Sequence, residues 1–132
     1  MARGSGSALA AILLVRARED MQTLEALVTA DVPDRAVGFH AEQVVEKSLK
    51  AVLAEREVDY RHSHDIGYLV ELVVATGIKP PSELGEARQL RPFAAELRYE
   101  QPLDATPELD RAKARRLSQL ALEWASELAG PP

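Results

Sequence analysis

The chain has 132 residues, 46% of them hydrophobic, 28% charged and 5% aromatic, with no cysteine. That is enough sequence for one domain with a real core, and its composition is far from that of a disordered chain. Disulfides, thiolate metal sites and a cysteine nucleophile are excluded. A formal charge of −5, from 16 basic and 21 acidic residues, argues against unspecific nucleic-acid binding over a broad basic surface.

Residues 1–7 read as a flexible leader, and residues 8–130 as a single domain. The apolar run at 8–15 is too short to span a membrane and leads straight into charged helix. Leu13, Ala17, Met21, Leu24 and Val28 recur at helical spacing, which predicts a first helix over 8–29. Pro33 breaks it, and Asp34 can cap a second helix over 34–55. The short link makes the two antiparallel neighbours.

The second helix is the most informative stretch. At 100° per residue, Val37, Ala41, Val44, Val45, Ser48 and Val52 share one face. His40, Gln43, Lys47 and Lys50 form a stripe nearly opposite, with Glu46 placed to pair with Lys50 at i,i+4. The stripe is either a solvated face or a binding surface for an anion. Gly38 either lets another helix approach closely or has no packing role.

A polar connection, 56–64, leads to a short third helix over 65–75, with Asp65 or Ser63 as cap and Gly77 at its end. Ile66, Leu69, Val70, Val73 and Val74 point inward. Ser82 caps a fourth helix over 83–97, with Leu84, Ala87, Leu90, Ala94 and Leu97 on one face and, from Pro92, a kink near Arg88 to Arg91. A fifth helix opens with Thr106 as N-cap and Pro107 at its first position, and Gly130 stops it. Ala112, Leu117, Leu120, Ala121, Trp124 and Leu128 form its apolar side. Every strong pattern has the helical period. The predicted fold is an all-α, antiparallel, up-and-down four-helix bundle with one additional short helix.

Phe39 to Leu53, reading FHAEQVVEKSLKAVL, then HSHDIGYLVEL and a later LRYE, together resemble the HEPN family of small prokaryotic helical proteins. The resemblance runs over nearly the whole chain. It implies a cytoplasmic homodimer that binds a nucleotide or RNA and partners a minimal nucleotidyltransferase, in many cases as a toxin–antitoxin pair. The expected ligand-binding residues are His40, Gln43, Lys47 and Lys50, joined by Arg98, whose guanidinium can hold a phosphate bidentately.

Two alternatives stay open. Arg56 and His62 form an Arg-x5-His pattern of the kind carried by HEPN ribonucleases. There histidine would move a proton and arginine would stabilise phosphorane charge, without metal. His40, His64-Asp65 and a later Asp104 or Asp110 also follow the order of HD-type metal phosphohydrolases. With His64-Asp65 explained as a helix cap, no metal ion and no other cofactor is expected.

Overall fold

The computed structural model describes residues 5–94 and 108–130, whose regular elements are all helical, with no strand among them. Three long α-helices carry the architecture: α1 (Ser5–Leu27), α2 (Asp34–Glu55) and α4 (Arg111–Ala129). A short helix α3 (Ile66–Ala75) and a 3₁₀ segment (Ser82–Phe93) close the remaining sides. The all-α class is as the periodicity implies, but among the described residues only three of the four expected long helices are α-helices, the fourth being the 3₁₀ segment. No described helix is long and apolar enough to cross a membrane.

The buried face of α1 is Ala10, Leu14, Ala17, Met21 and Leu24, spaced four, three, four and three. Leu13, expected there, is only partly covered. The helix reaches back to Ser5, into the stretch expected as a leader, and a Cβ at Gly6 would run into the Ala54 carbonyl of α2. Gly6 lies at Ala54 whereas Asp20 meets His40 and Lys47, so α1 and α2 run antiparallel, as the short link requires. In contrast, α4 runs alongside α2 in the same direction: Arg111 meets Asp34, and Ser118 Oγ donates to the Ala41 carbonyl.

The span of α2 is as predicted, but its cap is not. Pro33 holds the N-cap position with no side-chain bond. Asp34 instead receives the Arg111 Nε–H at 2.9 Å and the Leu109 backbone N–H at 3.2 Å. Both bonds favour the ionised carboxylate, and its pKa is lowered. The same guanidinium donates to the carbonyls of Ala30 and Val32 beyond the end of α1. One arginine thereby ties three helices at one end of the molecule. At the other end of α2, Val58 N–H bonds to the Leu53 carbonyl and Glu57 N–H to that of Ala54, with Glu57 at φ 56. This is a Schellman closure, with Arg56 as its C-cap.

Asp65 caps α3 as expected, accepting the Tyr68 N–H, and Gly77 follows the helix at φ +91. Ile66, Leu69 and Val73 are buried, whereas Val74, expected inward, is 55% exposed. Ten residues of a narrow helix have room for only one buried stripe.

The fourth element departs most from expectation. The residues buried along Ser82–Phe93 are Leu84, Ala87, Leu90 and Phe93, each three apart. At three residues per turn that spacing stacks them in a single row. An α-helix would rotate each successive one off the contact line. Pro92 removes a donor near the end, and the chain is extended at Ala94, so there is a stop where a kink was expected. Pro81 rather than Ser82 is the N-cap. The last helix also begins later than predicted: Glu108–Asp110 are not helical, and Asp110 caps α4 by accepting the Lys113 N–H at 3.0 Å. Ala112 and Leu128, expected on its apolar side, are exposed. Thr106, Pro107, Arg98 and Asp104 lie outside the described residues.

Phe93 seats on α2 at Gly38, where a Cβ would overlap the phenyl ring. Of the two readings of Gly38, close approach is the one observed. Gly38→Ala should therefore destabilise the fold by about 1–3 kcal/mol through overpacking, despite the better helix propensity of alanine. In a Phe93→Ala background the same change should cost little or add stability. Urea unfolding of the four-variant cycle measures this; an undiminished cost in that background places the constraint elsewhere.

Candidate functional site

Between Val37 and Ala54 nearly every side chain of α2 is buried, and that includes its polar ones. Gln43 and Lys50 are each 8% exposed, so the stripe is not a solvated face. The structure divides it into two clusters, each built on a carboxylate.

The first cluster joins α2 to α1. Asp20 Oδ1 lies 3.0 Å from His40 Nδ1, and the Lys47 ammonium donates to Asp20 Oδ2. His40 and Lys47 are one helical pair of turns apart, which lets a single carboxylate reach both. Each keeps about a quarter of its side chain in solvent, 25% and 24%. Two groups that can carry positive charge surround one acid at the surface.

The second cluster is deeper. Glu42 is fully buried and Glu46 is 4% exposed. They stand at i,i+4 on α2, where two like charges repel. Gln43 Nε2 donates to Glu42 Oε2 at 2.7 Å, while Glu42 Oε1 has no partner among the described residues. Burial, followed by the charge of Glu46, pushes the Glu42 carboxyl up to about 9. The group is therefore a neutral acid near pH 7, with its proton available to be shared with Glu46. Glu46 accepts from Lys50 Nζ at 3.1 Å and from His64 Nδ1 at 2.5 Å. The Lys50 ammonium lies 5.7 Å from the Tyr60 ring centre. Desolvation, then Glu46, raises the Tyr60 hydroxyl above its ordinary pKa.

Glu42, Glu46 and His64 each offer an atom within 4.8 Å of the others. Two carboxylates and an imidazole suit a hard or borderline divalent ion. The Lys50 ammonium also reaches Glu46, at 3.1 Å. The residues of the phosphohydrolase pattern have separate tasks: His40 faces Asp20, His64 faces Glu46, and Asp65 and Asp110 each cap a helix.

Arg56 and His62, the candidate catalytic pair, are both exposed on the connection after α2. No hydrogen bond or ion pair joins them among the described residues. The His62 ring stands edge-on to His64, with centroids 5.5 Å apart. Asp20, Glu42 and Tyr60 were missed from sequence. Glu42 had a legible signal, a second acid four residues before Glu46 on a helix with few free sides. Asp20 and Tyr60 had none, because their partners lie far along the chain.

Since Glu42 titrates near 4.5 when unfolded and about 9 when folded, the native state retains a proton that the unfolded chain gives up. Stability from this group is greatest below about pH 4.5 and is lost as pH rises toward 9. Glu42→Gln keeps the shape, and its amide can donate to Glu46. The variant should match the wild type in melting temperature near pH 5 and exceed it by several degrees at pH 8. Parallel pH dependences in thermal melts of the two proteins would show that Glu42 is ionised in the fold.

The model of the HEPN domain matches residues 10–127. No curated protein and no solved structure matches the chain. The family match reaches into every helical element and includes both carboxylate clusters, and the chain belongs to the HEPN domain family.

Proposed function

We propose that this HEPN protein is a nucleotide- or RNA-binding module that acts in the cytoplasm as a homodimer beside a minimal nucleotidyltransferase, in a toxin–antitoxin-type pair. The observation that carries the reading is the family match over residues 10–127, with α2 at the centre of the matched region. The geometry adds the His40–Asp20–Lys47 cluster, where two potential cations share one acid and stay partly open to solvent. A phosphate displacing part of that arrangement would meet Lys47 first. Lys50 and Gln43 act behind it, holding the buried acids of α2. Arg98 belongs to the same proposed set.

Binding of nucleotides and short RNA to the wild type and to Lys47→Ala tests the assignment. Lys50 is a poor choice for substitution, because its loss leaves Glu46 short of a buried cation. Affinity should fall several-fold in Lys47→Ala, most at low salt. Equal affinity at low and moderate salt removes α2 from the site.

Dimerisation draws support from apolar residues left uncovered on one side of α1, where Leu9, Ile12 and Val15 are 43%, 57% and 51% exposed. A surface of this kind is costly in a monomer. Light scattering at micromolar concentration should give twice 14.5 kDa, and Ile12→Glu should shift the particle toward the monomer. A monomer for the wild type, independent of concentration, ends this part of the reading.

A metal-independent ribonuclease is the second reading, favoured by the exposure of His62 beside His64. An imidazole pair of this kind, with one ring held by Glu46, suits proton transfer at a ribose 2′-hydroxyl. RNA cleavage in the presence of chelator, lost in His62→Ala, supports it.

A further inference from the structure

Three arginines converge on a cleft of about 470 Å³ at the start of α3. Arg61 comes from the connection after α2, and Arg88 and Arg91 from the 3₁₀ segment. The first turn of α3, Ile66, Gly67 and Tyr68, forms another wall, with Asp65 and Glu71 at its edges. The sequence shows no such cluster, since Arg61 and Arg88 are far apart in the chain. The fold brings them together across α3.

Few of the arginine donors are spent. Arg91 gives Nη1 to Asp65 Oδ2 at 3.1 Å. Arg88 lies 3.9 Å from Glu71, and both side chains are more than half exposed, so solvent screens the pair. Arg61 forms no ion pair among the described residues; its guanidinium carbon lies over the Tyr68 ring, 3.8 Å from the centroid, a cation–π contact that holds the group at the cleft. Three guanidiniums against two carboxylates leave a local excess of one positive charge, in a chain whose formal charge is −5. Gly67 helps build the wall. A Cβ there would lie 3.2 Å from Arg88 Nε and equally close to Asp65 Oδ1, so a larger residue would push Arg88 away from the helix.

We infer that this cleft binds the phosphate of a nucleotide, with Arg61, Arg88 and Arg91 as donors. Planar forks offering paired N–H groups match phosphate oxygens bidentately. The amide dipoles of the first turn of α3 add favourable potential behind them. The site is separate from the Asp20 cluster on α2, and rests on the nucleotide- or RNA-binding reading only for the identity of the phosphate carrier.

The test is calorimetric titration of the full chain at low salt with pyrophosphate, adenosine monophosphate, and one short RNA with either a 5′-phosphate or a 5′-hydroxyl. The variants are Arg61→Ala/Arg88→Ala, which spares the Arg91–Asp65 pair, and Lys47→Ala. Circular dichroism melts confirm that each is folded. Binding of adenosine monophosphate to the wild type, with a component that is weakened about tenfold or more in the double arginine variant and retained in Lys47→Ala, is the expected result. A preference for 5′-phosphorylated RNA, lost with the same arginines, assigns the phosphate to an RNA end and also upholds the cleft. Arginine-dependent pyrophosphate binding without binding of adenosine monophosphate or RNA upholds the phosphate site and removes the nucleotide reading. Loss in Lys47→Ala with no loss in the arginine variant overturns the cleft and leaves the α2 site standing. No binding of any probe to the wild type overturns the cleft.

Discussion

α2 is covered over most of its surface and yet carries charge. Between residues 37 and 54 it buries Glu42, Gln43, Glu46 and Lys50 along with its apolar face. An isolated charge in such a position is prohibitively costly, so each must find a partner on α2 itself or on whatever covers it. Much of the arrangement follows from this requirement. Lys50 answers Glu46 from the next turn, and the 56–65 connection folds back to deliver His64 to the same acid. Across the interface with α1, Asp20 answers Lys47. Glu42 has no cation of its own, and the fold retains its proton instead.

This constraint also shapes where a ligand can reach the protein. Four polar residues on one face of a free helix would make one continuous binding surface. In the folded chain, two are committed to the buried acids and two remain at an edge that solvent can enter. The resulting surface potential is uneven. The chain as a whole is acidic, but the His40–Lys47 edge and the three-arginine cleft are places where cationic groups equal or outnumber their acidic partners. Anion binding by an acidic protein depends on such local excess, because long-range attraction is absent and contacts over a few ångströms must supply the affinity.

Where the sequence could be read, the responsible interactions were short-range. The span of α2, the Asp65 cap, the turn at Gly77 and the Glu46–Lys50 pair each depend on residues within a few positions of one another. The 3₁₀ segment was misread for a definite reason. From Leu84 to Phe93, a row spaced by three drifts by only about half a turn from an α-helical face, and Ala94 mimicked the next α-helical contact. What separates the two is Phe93 lodging at Gly38, a contact between residues more than fifty positions apart. Asp34 was misassigned as a cap for a similar reason: Arg111 competes for its carboxylate and wins with a charge-assisted bond.

By itself, the sequence determined the helical class, the limits of the central helix and the candidate polar residues upon it, because backbone hydrogen bonding and side-chain periodicity are local properties. Tertiary structure alone decided which of those polar residues are buried and which acid keeps its proton. It also decided that arginines from two distant segments line one cleft. Burial and electrostatic pairing are set by what packs around a residue, and on α2 the covering groups come from the whole length of the chain.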